Sequence, residues 1–214
     1  MKTFSVSAVC LALAFAAAAP LHAQEHHAAA PATKTPAAPK LDAAMRDLWQ
    51  GHVQHTRAYA IAVHAGDKAA ATKAADEVVA NAKQISDAVA GFYGADAGKA
   101  MLTLLAGHWG GVKAMTDAEK AGDKAASAKA LQDLTANAGE IAKFLSGANP
   151  YLGDDAVRGL LMAHVAHHQA QIGEIMRGDM QAEAKTWTAM QAHMNTIADA
   201  LAGALAKQFP AKAS

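Results

Sequence analysis

The sequence predicts an all-α protein made of three tandem antiparallel helical hairpins that form a six-helix bundle. A unit of 56 residues occurs three times without a gap, over 41–96, 97–152 and 153–208, and eleven of its columns hold the same residue in all three copies. In both halves of the unit the larger apolar residues fall on one face of a helix. A Gly-Asp pair separates the halves in every copy. Three copies of such a two-helix unit are enough to bury a continuous core.

Two segments precede the first unit. Residues 1–23 carry one lysine, an apolar run and a small residue before Gln24, which indicates a cleavable secretory signal peptide and a periplasmic or secreted protein. Residues 24–40 are rich in alanine and proline without apolar periodicity, which indicates a flexible tether. The helical repeat domain is then expected over 41–210. The only cysteine, Cys10, lies in the signal peptide, so the mature chain would bind metal through nitrogen, oxygen or thioether ligands.

Each unit is expected to contain two helices of about 20–25 residues, each roughly 30–38 Å long. In the first unit Met45, Trp49 and Val53 mark the apolar face of one helix, and Val78 and Ile85 mark that of the next. The glycine between them suits the left-handed conformation that ends a helix, and the aspartate caps the following helix by accepting backbone N–H bonds. The later units repeat this order, and turn residues at 91–94, 147–150 and 208–210 end each second helix.

Charge balance and hydropathy exclude several classes of partner. Lysine plus arginine and aspartate plus glutamate number 19 each and no basic block stands out, so neither nucleic acid nor an anionic membrane surface is expected as a partner. No apolar run of about 18 residues remains once the signal peptide is removed, so the mature chain is expected to have no transmembrane segment. The sequence identifies no protein partner.

One polar position in each predicted helix faces the core. His52, His108 and His164 occupy one column of the unit, four residues after a leucine of the apolar face. At the same level of each second helix, 29 residues further on, stands an amide or an imidazole, namely Asn81, Asn137 and His193. If the bundle closes, these side chains meet in one layer, where burial without hydrogen-bond partners costs about 1–3 kcal/mol each.

The third copy favours a metal site in this layer. His168 replaces Thr56 and Val112 of the other copies and follows His164 by four residues, so one helix face presents two imidazoles to one ion. The predicted ligands are His52, His108, His164, His168 and His193, with Asn81 and Asn137 holding ligands by hydrogen bonds. Nitrogen ligands without an acidic residue favour copper or zinc, and after them nickel, over magnesium, calcium or manganese. Metal affinity is expected to fall below roughly pH 6, where ordinary imidazoles become charged.

The layer has further interpretations. Its histidines and asparagines would also suit a non-catalytic structural or interaction module, in which the layer only fixes helix register by hydrogen bonds. A haem- or metal-dependent enzyme is a third interpretation. The layer has no paired carboxylates and no nucleophile beside a base, and the chain has no Cys-x-x-Cys-His motif, so a metal-binding role in buffering, transfer or sensing is favoured over catalysis.

Two additions to the metal hypothesis come from other residues. Met162, Met190 and Met194 lie near the level of the layer and would supply thioether ligands for Cu(I). Cleavage after Ala23 would leave His26 as the third residue of the mature chain, an arrangement that can wrap Cu(II) or Ni(II) in a square plane. His26 is therefore a possible separate N-terminal site.

Four short strings resemble those of a group of small bacterial helical proteins: LWQGH at 48–52, FYG at 92–94, FLSGANP at 144–150 and QFP at 208–210. The likeness spans most of residues 41–210. In that group, histidines that match His52, His108, His164 and His193 stand at the corresponding helix positions. The resemblance implies the helical architecture and supports the choice of these histidines, and it implies no particular activity.

Overall fold

The computed structural model describes residues 38–213, and over this range the chain forms helices and no strand. Six helices are long and the last is a single turn: α1 Pro39–Ala65, α2 Lys68–Tyr93, α3 Ala95–Ala121, α4 Lys124–Ala148, α5 Asp154–Met176, α6 Met180–Gln208 and α7 Pro210–Ala213. The all-α class is confirmed. The predicted signal peptide, most of the tether and His26 lie outside the described residues.

Glycine-aspartate turns join α1 to α2, α3 to α4 and α5 to α6. Gly66, Gly122 and Gly178 have φ of 74°, 73° and 72°, the left-handed conformation in which a side chain would be strained. The aspartate that follows each glycine accepts hydrogen bonds at the start of the next helix, from Ala70 N, from Ala125 N and Ala126 N, and from Ala182 N respectively. Each turn thereby ends one helix and caps the next within about three residues.

The long helices are arranged so that α1, α3 and α5 lie inside. These three contact one another, and each of α2, α4 and α6 packs between two of them. α6 packs against both α5 and α1, so the last long helix meets the first. In this arrangement one face of each of α1, α3 and α5 is turned to the other two, and the predicted histidine column lies on these three helices.

Three polar contacts join α1 to α6. They are the bidentate pair Arg46–Asp199, the hydrogen bonds of Gln50 Nε2 with Asn195 Oδ1 and the Gln191 carbonyl, and the bidentate pair Arg57–Glu183. The Arg46–Asp199 side chains are half exposed, whereas the Glu183 side chain is only 1% exposed. This α1–α6 interface, the seam, thus has solvent-exposed contacts near the start of α1 and an ion pair with a buried carboxylate further along the helix.

The core is aliphatic, with methionine where a bundle often has aromatic residues. Met101, Met115, Met190 and Met194 are each at most 1% exposed. Their unbranched side chains fill irregular gaps between alanine-rich helices. Met190 and Met194 pack with Trp49 in the apolar core, and Met162 packs at the edge of a second apolar cluster. No helix of the described range is long and apolar enough to cross a membrane.

Candidate metal centre

Four histidines meet at the centre of the three inner helices. His52 comes from α1, His108 from α3, and His164 and His168 from α5. Each is between 1% and 4% exposed, and one ring nitrogen of each lies within 4.8 Å of the chosen nitrogens of the other three. Within the described range no other group of three or more His, Cys, Asp or Glu side chains converges in this way. The four imidazoles form a cluster that can hold one ion.

The spacing of the rings is close to that of a loaded site. His164 Nε2 and His168 Nε2 are 3.0 Å apart, and the six ring-to-ring centroid distances lie between 4.4 and 6.1 Å. Nitrogens at about 2.1 Å from a tetrahedral zinc ion lie roughly 3.3 Å from one another. Ring movements on the order of 1 Å therefore suffice to bring four nitrogens onto one ion.

The orientation of His108 follows from its neighbour Asn137. Asn137 Nδ2 donates to the Leu104 carbonyl at 3.0 Å, which turns Asn137 Oδ1 towards His108 Nδ1 at 3.3 Å. Because an amide oxygen only accepts, His108 Nδ1 carries the hydrogen and His108 Nε2 carries the lone pair. His108 Nε2 is buried without a hydrogen-bond partner. This is the way in which carboxylates and carbonyls orient metal-binding histidines in proteins.

Several buried polar atoms of the layer have no hydrogen-bond partner: His52 Nδ1, Asn81 Oδ1, His108 Nε2 and His164 Nδ1. Leaving a buried polar atom unpaired costs about 1–3 kcal/mol. In the second helix pair the equivalent atoms, His108 Nδ1 and Asn137 Oδ1, hydrogen-bond each other, whereas His52 Nδ1 and Asn81 Oδ1 do not. The layer is therefore not saturated by its own hydrogen bonds, and unused acceptor or donor capacity remains at its centre.

Burial keeps the four imidazoles neutral. Loss of solvent lowers the pKa of His52 to about 3 and that of His108 to about 4, and the nearby imidazoles add to the effect at His52. At His108 the hydrogen bond to Asn137 opposes it. Burial, followed by the neighbouring histidines, holds the pKa of His164 and His168 well below the ordinary value. Each ring therefore carries one lone pair at neutral pH, as a metal ligand must. Since His164 Nε2 and His168 Nε2 share a hydrogen bond, one of them carries the hydrogen and would move it to its other nitrogen when an ion binds.

Asn81, Asn137 and His193 make one and the same hydrogen bond. Asn81 Nδ2 and Asn137 Nδ2 donate at 3.0 Å to the Leu48 and Leu104 carbonyls, and His193 Nε2 lies 2.8 Å from the Leu160 carbonyl. Each bond ties the second helix of a pair to the first across 33 residues. Asn81 faces Gly51 and Asn137 faces Gly107. A Cβ atom on either glycine would lie 3.0 Å from the amide nitrogen of the asparagine that faces it.

His193 lies outside the four-histidine cluster. Its ring is half-buried and stands against His167, with ring centroids 5.1 Å apart at an interplanar angle of 79°. Of the five predicted ligands, the structure brings together His52, His108, His164 and His168. His167, which follows His164 by three residues, has a buried Nδ1 without a partner.

A buried ionic group lies one helical turn from His168. Gln171 Nε2 donates to Glu183 Oε1 at 2.9 Å, and the Arg57 guanidinium donates to both oxygens of Glu183 at 2.6 and 2.7 Å. The Arg57 hydrogen bond lowers the pKa of Glu183 despite its burial. The sequence does not predict this group, because nothing in the spacing of Arg57 and Glu183, 126 residues apart, links them. The only local indication is that Gln171 shares a helix face with His168.

The cluster does not suit a haem. Two imidazoles that bind one haem iron from opposite sides have ring centres roughly 6 Å apart, and the porphyrin must extend between them. Each pair of rings in the cluster has the other two rings packed beside it at 6.1 Å or less. Those rings occupy the space that the macrocycle would need.

The described fold and site define a class: an all-helical protein whose inner helices enclose four buried histidines able to hold a metal ion. No known protein family, no curated protein and no solved structure matches this chain. The chemistry of the site therefore carries the functional argument.

Proposed function

We propose that this protein binds one transition-metal ion, copper or zinc by preference and nickel after them, through His52, His108, His164 and His168. One observation carries the proposal: four buried, neutral imidazoles place a ring nitrogen each within 4.8 Å of one another. Imidazole suits these metals, whereas magnesium, calcium and manganese bind through oxygen.

The proposed role is to buffer, transfer or sense the ion. Catalytic zinc sites keep one coordination position open for water or substrate, whereas sites with four protein ligands are closed. Four imidazoles at 1–4% exposure make a closed site, and no carboxylate belongs to the cluster to act as a base within the described residues. A closed nitrogen site supports holding and handing over an ion, and it gives catalysis no free position.

The main alternative is a structural module whose layer only fixes helix register. The carbonyl bonds of Asn81, Asn137 and His193 suit that role. Two further hydrogen bonds of the layer reach the central imidazoles, from His108 to Asn137 and between His164 and His168. Even so, His52, His108 and His164 each keep a buried nitrogen without a partner. A layer selected for internal hydrogen bonding alone has no use for such atoms, because each one reduces stability. This difference favours the metal-binding proposal.

The proposal extends to how the chain is built and where it acts. Its three helix pairs are taken as copies of one 56-residue unit, joined in a closed six-helix bundle over residues 41–210. The likeness of their turns and of their carbonyl bonds supports this origin. Residues 1–23 are taken as a signal peptide and 24–40 as a tether, so the protein would act in the periplasm or outside the cell, where an exported metal carrier meets free ions.

A titration with paired double variants tests the metal site. The full chain, carrying His26→Gln and His27→Gln to remove competing N-terminal imidazoles, is titrated with Zn²⁺ and Cu²⁺ by calorimetry at pH 7.5. We expect one ion per chain, and a loss of at least 100-fold in affinity when His164→Gln and His168→Gln are added. His55→Gln with His64→Gln is the control, since it removes the same number of imidazoles from outside the cluster. Equal affinity in both double variants, with unchanged helix content, would mean that the ion does not bind the four histidines.

A further inference from the structure

His167 and His193 form a second pair of imidazoles beside the buried cluster. His167 lies on the same helix as two of the cluster residues, one residue before His168 and three after His164. Both rings of the pair are half-buried, whereas the four cluster rings are buried. Burial dominates the lowered pKa of His164 and His168, and His193 and His167 respectively add to it, so the pair is close enough for its charge to act on the cluster.

The hydrogen bond of His193 leaves it a free ligand atom. A carbonyl oxygen only accepts, so His193 Nε2 donates its hydrogen to the Leu160 carbonyl and the neutral ring carries its lone pair on Nδ1. The same bond is made by an asparagine at positions 81 and 137. An imidazole is therefore not needed for the bond itself. What His193 adds over asparagine is a second ring nitrogen with metal-binding capacity.

His167 has lost the partner that a matching histidine keeps. His55 stands 112 residues earlier in the chain, and its Nδ1 pairs with Glu77 Oε2 at 3.3 Å. The residue 112 positions after Glu77 is Ala189, which offers no acceptor. His167 Nδ1 is accordingly buried without a hydrogen-bond partner. The pair thus contains two imidazoles whose Nδ1 atoms are not engaged in hydrogen bonds.

We infer that His167 and His193 form an outer two-histidine site that takes up a transition-metal ion such as Zn²⁺, Co²⁺ or Cu²⁺ and passes it to the four buried histidines. This inference rests on the proposed function. Two imidazoles on one tetrahedral ion have ring centres roughly 5 Å apart, and the two rings are 5.1 Å apart.

The outer site would reduce the desolvation cost of moving an ion from water to the buried site. An ion without ligands pays a large desolvation cost in an apolar interior. His164 and His168 lie on the same helix as His167 and are buried at 3% and 1% exposure. An ion held by His167 and His193 can exchange one nitrogen ligand for another as it moves inward, without being bare at any point. Water molecules leave the ion at the outer site, where solvent is still near.

Loading kinetics test the inference. The rate at which Co²⁺ reaches the buried cluster of the full chain is followed by stopped-flow absorbance, in the background that lacks His26 and His27. The double variant is His167→Gln with His193→Asn. It is made together with Ala163→Gly, because Asn81 and Asn137 make the carbonyl bond with a glycine facing them. Ala163→Gly alone is measured beside it and should load at the wild-type rate. We expect the loading rate of the double variant to fall at least tenfold, while the equilibrium affinity of the cluster changes less than threefold. His55→Gln is the matched control and should load at the wild-type rate.

Two results would overturn the inference: a loading rate that the double variant leaves unchanged, or an equal slowing by His55→Gln. Failure of the proposed function has a separate signature. The wild-type chain would then bind no Co²⁺, or would bind it equally well after His164→Gln and His168→Gln, and the outer pair would have no site to supply.

Discussion

For single residues, the direction of a hydrogen bond decides which nitrogen of an imidazole is free. His108 gives its Nδ1 hydrogen to Asn137 and keeps a lone pair on Nε2, whereas His193 gives its Nε2 hydrogen to a carbonyl and keeps Nδ1 free. Two histidines at the same level of the bundle therefore present opposite ring atoms. One faces the cluster, and the other stands with His167 outside it.

Replacing Asn137 should show how far its two bonds stabilise the fold. Asn137→Ala removes the donor to the Leu104 carbonyl and leaves His108 Nδ1 without its acceptor, so we expect a loss of about 1–3 kcal/mol in the free energy of unfolding. Asn137→His introduces the side chain that position 193 uses for the same bond, and should cost less than the alanine variant. Urea denaturation of both variants measures the difference. Equal destabilisation by alanine and histidine would show that the carbonyl bond is unimportant.

The sequence predicted five histidines at one level of the bundle, and in the structure four of them converge whereas His193 lies apart. Helical periodicity tells which face a residue occupies, which is why His52, His108, His164 and His168 were found together. It does not tell which way a long side chain turns from that face. His193 stands on the predicted level, but its ring reaches the Leu160 carbonyl. For the same reason His167, which the unit pattern did not single out, gave no sequence indication of its contact with His193.

Between elements, the seam of α1 and α6 holds two bidentate ion pairs in different surroundings. Arg46–Asp199 is about half exposed on both sides, at 51% and 47%, whereas the Glu183 carboxylate is 1% exposed and Arg57 28%. Solvent screens the first pair and weakens it. The second is enclosed by α1, α5 and α6, and its carboxylate receives a further hydrogen bond from Gln171.

We expect the two arginines to differ in their effect on stability. Arg57→Leu leaves Glu183 buried with Gln171 as its remaining partner, so the free energy of unfolding should fall by about 2–4 kcal/mol at pH 7. Adding Glu183→Leu should recover part of the loss, because no unpaired charge then remains. Arg46→Leu is the matched control on the same two helices and should leave the urea midpoint almost unchanged. A larger effect from Arg46→Leu than from Arg57→Leu would contradict this account of the seam.

The helix boundaries were the most predictable part of the elements. Gly66, Gly122 and Gly178 end their helices in the left-handed conformation that the Gly-Asp pairs predicted. The lengths were underestimated for four of the six long helices, which have 26 to 29 residues, whereas α4 and α5 have 25 and 23 as predicted. Alanine has the best helix propensity and extends each helix up to its turn. The polar contacts between α1 and α6 could not be predicted from the sequence. Helical periodicity indicates which apolar residues face the core, and it does not pair polar residues of two different helices.

For the whole molecule, the four buried imidazoles make stability depend on acid. An unfolded histidine has a pKa of about 6.5, and burial lowers that of His52 to about 3 and that of His108 to about 4, with His164 and His168 also well below the ordinary value. From about pH 6.5 down towards 4 the unfolded chain binds protons that the folded protein excludes. The free energy of unfolding therefore decreases as the pH is lowered through this window, by about 1.4 kcal/mol per pH unit for each histidine.

The metal-free protein should consequently unfold cooperatively between about pH 6 and pH 4. Four such histidines remove roughly 5 kcal/mol per pH unit, which is comparable with the whole stability of an ordinary domain. Circular dichroism against pH in a chelator gives the midpoint. His52→Leu with His108→Leu should move the midpoint to lower pH. An unchanged midpoint would show that these two rings do not titrate on unfolding.

Burial also changes the expected pH dependence of metal binding. Ordinary imidazoles would lose affinity below roughly pH 6, but the folded cluster excludes protons to lower pH. Loss of the ion should therefore follow the unfolding transition, and saturating Zn²⁺ should lower the acid midpoint in proportion to the logarithm of its concentration. The two transitions are compared by measuring bound zinc and helix content in the same samples. Release of zinc from a fully folded protein near pH 6 would contradict the expectation.

Gly51 and Gly107 lack a Cβ atom, so each glycine and the asparagine that packs against it are expected to change together in evolution. A Cβ atom on either glycine would lie 3.0 Å from the amide nitrogen of Asn81 or Asn137, which is closer than an ordinary van der Waals contact. The third helix pair has Ala163 and His193 instead of glycine and asparagine. An ancestor that changed only the glycine would have strained the helix contact, so the two substitutions are expected to travel together. A change of Gly107 to alanine is thus expected to be tolerated only after Asn137 has been replaced, for example by the histidine that faces an alanine in the third pair.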